Sequence, residues 1–237
     1  MGNLYDIDCH DNNTFQWSAR YAPLFIRHQF DDIIKVFFQP VTCIIGSLLN
    51  MSFLFVIFRL KDMQTITNAY LVNLAISDLL FLISNTVIET MQYVISPIST
   101  DYAFLGTTGC VLKYLFYYVS FHSSMLLVPI VALERYAAIC FPLTHRRIAG
   151  KRRTAVIITA CWIVALIWSV PTVLNRSIIS RYCVAWPPND ETYSGFPEVI
   201  GQCVPLPNTN WNYRIMVDYV CEGGVFVCCF LGKYLQE

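Results

Sequence analysis

Long apolar runs separated by short polar stretches set the pattern of this chain. The runs are Ile33 to Phe58, Ile66 to Val94, 106–140, Ala155 to Leu174 and 212–231. An α-helix needs roughly 20 apolar residues to cross a hydrocarbon core, so each run is a candidate span. Pro40 in the outer half of the first run is no obstacle, because membrane helices re-satisfy the freed backbone through neighbours. From Cys110 to Arg135 a helix would rise roughly 37 Å against a core of about 30 Å, so both ends reach the interfaces if it tilts. The pattern predicts an all-α, multi-pass transmembrane bundle with five spans. A polar tail (1–32) precedes the region 33–222, and a divergent end (223–237) follows it.

Polar positions inside the runs are ordered rather than scattered. Lys113, Tyr117, Ser120, Ser124, Val128, Val131 and Arg135 succeed one another at steps of three or four, which places them on one helix face, expected to look inward. Glu134 and Arg135 fall where this run meets water, since a charge at the bilayer centre costs about 2.5–3.5 kcal/mol on insertion scales. Their spacing leaves two readings open, a helix-end salt bridge marking the boundary or a functional contact. Asp78 lies about 16 Å along the second helix from the preceding loop, close to the midplane, where a carboxylate needs a cation or a proton. Glu89 and Gln92 stand on successive turns toward the outer end of the same helix.

Composition narrows the class. The chain of 237 residues is 56% apolar and 14% charged, against about 25% charged in a soluble domain. Net charge is zero, which removes any bulk electrostatic case for nucleic acid. Basic residues matter by position instead: Arg146, Arg147, Lys151, Arg152 and Arg153 mark the second loop as cytoplasmic, Arg59 and Lys61 agree, and the N-terminus is then outside. The same cluster also suits anionic lipid. The tail lacks a charged-then-apolar start, so the first span is expected to direct insertion. No catalytic constellation, internal repeat or broken helix argues for an enzyme or a transporter.

Of ten cysteines, Cys43, Cys140, Cys161, Cys221, Cys228 and Cys229 lie in or beside apolar runs, where a thiol behaves as a small hydrophobe. Cys9, Cys110, Cys183 and Cys203 fall outside and permit two bridges in three pairings. No spacing supports zinc. Asn12-Asn13-Thr14 is a glycosylation acceptor sequence, and Asn175-Arg176-Ser177 is a second one set close to the membrane. The segment between the fourth and fifth runs, rich in Pro, Asn and aromatics, suits a structured lid.

Glu134-Arg135-Tyr136, Ala138-Ile139, Pro142-Leu143 and His145-Arg146-Arg147 resemble, in this order, the third helix and second inner loop of rhodopsin-like G-protein-coupled receptors. The resemblance implies that Arg135 is held by Glu134 at rest and freed toward a heterotrimeric G protein on activation. Asn50, after Gly46-Ser47-Leu48-Leu49, resembles the family's first-helix Asn, and Trp162 stands at its fourth-helix Trp. Tyr102 replaces a usual Trp. For Asp78, with Ser124 opposite, the resemblance implies an internal sodium site, the only ion or cofactor expected; a protonated structural Asp is the alternative. The resemblance also implies a bridge from Cys110 to the lid, with Cys203, nearer the fifth span, as partner. Cys183 is left to Cys9 or stays free.

No Asp occupies the part of helix three where amine receptors hold their cation; Tyr117 stands there. An intramembrane Glu89 near Lys113 and Tyr117 instead suggests a polar floor, and Glu89, Gln92, Lys113, Tyr117 and Phe121 are expected to receive a ligand with cationic and hydrogen-bonding groups, as in peptide receptors, here a neuropeptide. A Glu89–Lys113 pair that binds nothing is the alternative. The resemblance covers about residues 33–222. After Gly223-Gly224 the fifth-helix Pro and Tyr and the motifs of a sixth and seventh helix are absent. The reading is a plasma-membrane receptor in truncated form, not expected to signal alone, with a non-signalling partner that retains a full-length receptor as the second possibility.

Overall fold

The computed structural model of the chain describes residues 14–16, 26, 29–187, 191–206 and 210–220. Among the described residues, four helices are long and apolar enough to cross a membrane: Phe30–Arg59, Ile66–Ile95, Ala103–Cys140 and Lys151–Leu174. The first is composite. A short turn α1 (Gln29–Asp32) and a π-helical segment (Ile33–Phe38) lead into α2 (Gln39–Arg59), which places Pro40 in the first turn, where a missing N–H costs little.

The next helices carry their own start signals. Thr65 caps α3 (Ile66–Ile95) by accepting the Asn68 N–H at 3.2 Å. Gly106, at φ 62°, turns the chain into α4 (Gly106–Cys140) with a left-handed backbone that few other residues adopt. Pro142 opens the short α5 (Pro142–Ile148), and Gly150 in extended conformation precedes α6 (Lys151–Leu174). Most of the basic second loop is therefore helical, and α6 begins at Lys151 rather than at Ala155.

The core sits where α3, α4 and α6 meet. Tyr70, Leu127 and Cys161 are buried together, with Leu74, Ile130, Val131 and Ile158 packed around them. Ile44, Leu48 and Phe55 on α2 and Val156, Ile163 and Ile167 on α6 are exposed, as residues facing lipid tails would be. The expected inward stripe on α4 is buried at Lys113 and Ser120 but exposed at Val128 and Arg135, and burial passes to Leu127 and Glu134. The reason is that α4 packs chiefly on α3 and α6, and among the described residues no further long helix covers its other side.

Above one end lies a lid, a three-stranded sheet in the order β1 (Thr14–Gln16), β2 (Ile178–Ala185), β3 (Val199–Val204). β2 and β3 pair antiparallel, and β1 from the N-terminal tail adds in parallel, with Thr14 opposite Cys183. Cys110 at the top of α4 is bonded to Cys203 in β3, with Cα atoms 5.8 Å apart. Cys183 is also disulfide-bonded and its partner lies outside the described residues, while Cys43, Cys140 and Cys161 are free. The first of the two acceptor asparagines, Asn12, and Cys9 lie outside the described residues as well. The start of the fifth run forms α7 (Trp211–Asp218), described no further than Val220.

Candidate functional site

Three polar sites follow one another along the bundle, and α4 passes through all of them. At the lid end, Glu89 of α3 is the hub. Its Oε2 lies 3.2 Å from Lys35 Nζ and its Oε1 3.0 Å from Lys113 Nζ. The Tyr102 hydroxyl donates to the same Oε1 at 3.0 Å. Burial, and then the neighbouring carboxylate, push that hydroxyl well above the usual phenol range, so it remains a donor. Gln92, fully buried, accepts from Lys35 at 3.0 Å through Oε1 and donates through Nε2 to the Ile98 carbonyl.

A step deeper, Tyr117 meets Phe81 with ring centroids 5.0 Å apart and stacks with Phe121 at 6.5 Å. Of the residues expected to line a pocket, Glu89, Gln92 and Lys113 thus form one network and Tyr117 and Phe121 an aromatic step below it. Lys35 escaped the sequence reading. A lone cation between Ile34 and Val36 in an apolar run was the available signal.

Midway down, Ser124 of α4 donates to Asp78 Oδ1 at 2.8 Å, and Ser77 Oγ stands 2.8 Å from Ser124 Oγ. Hard oxygen donors of this kind fit a sodium ion better than a transition metal. Among the described residues no group of three His, Cys, Asp or Glu side chains could hold a metal. Trp162 Nε1 donates to Asn73 Oδ1 at 3.2 Å, tying α6 to α3. Asn50 bonds within its own helix. Its Nδ2 donates to Gly46 O at 2.9 Å in its own helix, where the carbonyl four residues back is within easy reach.

At the other end, the expected Glu134–Arg135 pair does not form. Glu134 is buried and bonds instead to Arg153 Nη2 at 2.6 Å and His145 Nε2 at 3.0 Å. Consecutive helix positions point about 100° apart, so Glu134 turns toward α5 and α6 while Arg135 turns away. Arg135 is exposed and has no ion-pair partner among the described residues. Tyr136 beside it is exposed too and meets Phe141 edge-on at 6.0 Å. A cavity of about 400 Å³ opens near this end between α2, α3 and α6, with Phe58, Asn68, Val72, Lys151 and Ile158 in its wall, at the opposite end of α3 from Glu89. Asn175, the acceptor after α6, is 5% exposed and so is shielded in the folded protein.

Comparison with known proteins shows the family. Residues 49–231 match the family model described as 7 transmembrane receptor (rhodopsin family), a match that runs past Glu222, where the motif resemblance stops. Human melanopsin is 29% identical over 187 residues, covering 78% of this chain and 34% of that protein. Neuromedin-U receptor 1 of Rattus norvegicus is 33% identical over 140 residues, 59% of this chain and 32% of the relative. Somatostatin receptor type 2 of Mus musculus is 24% identical over 204 residues, 82% of this chain and 54% of the relative. The chain spans from about a third to about half of the length of these relatives. With its apolar helices, the family match over most of its length and the Cys110–Cys203 bridge, the chain is a multi-pass membrane protein and belongs to the rhodopsin family of seven-transmembrane receptors.

Proposed function

We propose that this chain serves G-protein-coupled reception of a peptide at the plasma membrane, with the N-terminal tail and lid outside and the basic end in the cytoplasm. The peptide class draws support from relatives named for neuromedin-U and somatostatin. The orientation draws support from Arg59, Lys61, Arg146, Arg147 and Lys151–Arg153, which gather at the end opposite the lid.

The observation that carries the reading is the contrast at the end of α4. Glu134 is buried and doubly paired, whereas Arg135 is exposed among the open apolar side chains of Ile139 and Leu143. A cation framed by apolar surface is suited to hold a protein partner, here a heterotrimeric G protein. The same helix of 35 residues carries Lys113 at the lid end. Ligand contact there and partner contact at Arg135 are thus linked through one rod. Asp78, Ser124 and Ser77 would hold sodium midway along it, and the ion would neutralise the carboxylate and favour one arrangement of α3 against α4.

Co-purification tests the reading. Membranes expressing the protein with a heterotrimeric G protein, stripped of nucleotide, should yield a complex that Arg135→Ala weakens roughly tenfold or more. Equal recovery with Arg135→Ala would remove Arg135 as the contact.

A further inference from the structure

The lid-end cluster holds more positive charge than its own carboxylate can balance. Lys35 and Lys113 both address Glu89, one through each oxygen, at 3.2 and 3.0 Å. One carboxylate neutralises one ammonium. The other acceptor of Lys35 is the uncharged Gln92 amide, and the other neighbour of Lys113 is the Tyr102 ring, 3.5 Å from Nζ to centroid. Neither an amide oxygen nor an aromatic face cancels a formal charge.

The nearby acid does not help. Asp101 is 1% exposed, and its Oδ1 accepts the backbone N–H groups of Ala103 at 3.0 Å and Gly201 at 2.9 Å, so its work is to join the loop to the lid. Arg176 adds a guanidinium to the same wall. Its Cζ lies 5.4 Å from the centroid of Tyr114, the ring that Lys113 Nζ approaches to 5.3 Å, and its Nη1 donates to the Tyr118 hydroxyl at 2.5 Å. Among the described residues Glu89 is the one carboxylate within ion-pair distance of Lys35 and Lys113.

Two ammonium groups on one carboxylate repel each other, and withdrawing the second from water without a counterion is costly. The side chains keep 16%, 10% and 17% exposure at Lys35, Lys113 and Glu89, so the cluster is sheltered but reachable. We infer that this site receives a carboxylate of the ligand between Lys35 and Lys113, completing an alternating set of two acids and two bases. This rests on the peptide reading above and reverses the sign of the ligand charge expected from Glu89 alone. A cationic ligand would find Glu89 already taken and meet repulsion from both lysines. The carboxylate is either a free C-terminus or an Asp or Glu side chain of the peptide.

Random hexapeptide pools test this on the full chain in lipid nanodiscs, with thermal stabilisation as the readout. One internal position is fixed as Glu, Gln or Lys, and each pool is made with a free-acid and an amidated C-terminus. Glu or free-acid pools should act at roughly tenfold lower concentration than the Gln amide pool. The arm that gains names the source of the carboxylate. Lys35→Gln should abolish the preference. Raising the ionic strength of the wild-type sample should erode it too, so the test does not depend on the variant folding. Preference for the Lys pools, or equal action of every pool, would overturn the inference and leave the peptide reading standing. Stabilisation by no pool at all would overturn both.

Discussion

Arg153 at the start of α6 reaches Glu134 near the end of α4 with Nη2 and Oε1 2.6 Å apart. His145 of α5 takes the other oxygen at 3.0 Å. One buried carboxylate thus fastens three helices at the basic end, and it leaves its sequence neighbour Arg135 outside the arrangement. Because breaking a buried pair leaves uncompensated charge, Glu134→Gln should destabilise the protein by about 2–3 kcal/mol, less than a fully buried case since Arg153 is partly exposed. Arg135→Ala should stay within about 0.5 kcal/mol. Thermal unfolding in one detergent compares the two, and equal losses would contradict the pairing.

Hydrogen exchange sharpens the same point. In Glu134→Gln the amides of α5 and of the first turn of α6 should exchange faster, while those of the lid should not change, since local opening follows local contacts. Uniform change across the chain would show that Glu134 supports the whole bundle rather than this corner.

Gly201 of β3 lies against the loop that precedes α4. A Cβ there would stand 2.5 Å from Ala103 Cα and 2.8 Å from Ala103 N, both backbone atoms that cannot swing aside. The Tyr102 N–H also donates to Gly201 O at 2.7 Å. Gly201→Ala should cost about 1–3 kcal/mol and part lid from loop, although the disulfide at Cys203 would keep the lid attached. Faster exchange at Val199–Val204 and at Tyr102 would report it. Full retention of protection would mean the strand shifts without penalty.

Much of the bundle was legible because burial in lipid demands long unbroken apolar runs, and no soluble fold demands them of four helices in sequence. The Cys110–Cys203 bridge and the Asp78–Ser124 contact were legible through motifs that locate each helix. Longer-range charge pairing was not. Lys35 and Glu89 lie on different helices, and nothing local to either residue names the other. At Glu134 the neighbour in sequence distracted from partners one helix away. The lid strands were missed for a different reason: Ile178–Ala185 alternates only in part, and its partner Val199–Val204 lies beyond an intervening loop, so nothing local to either strand names the other.

Sodium should stabilise the wild-type protein over choline at equal ionic strength, by mass action on a site that the folded state alone offers. Asp78→Asn should abolish the difference, because the remaining oxygens of Ser77 and Ser124 carry no charge. A sodium effect that survives Asp78→Asn would place the ion elsewhere.

Orientation across the bilayer bears on every part of this account, since ligand and partner sites are assigned to opposite ends of α4. An epitope inserted after Gly150, between α5 and α6, reads it directly in intact cells with an impermeant antibody. The account predicts no staining until the membrane is permeabilised. Staining of unpermeabilised cells would put Arg135 and its basic surroundings outside and contradict it.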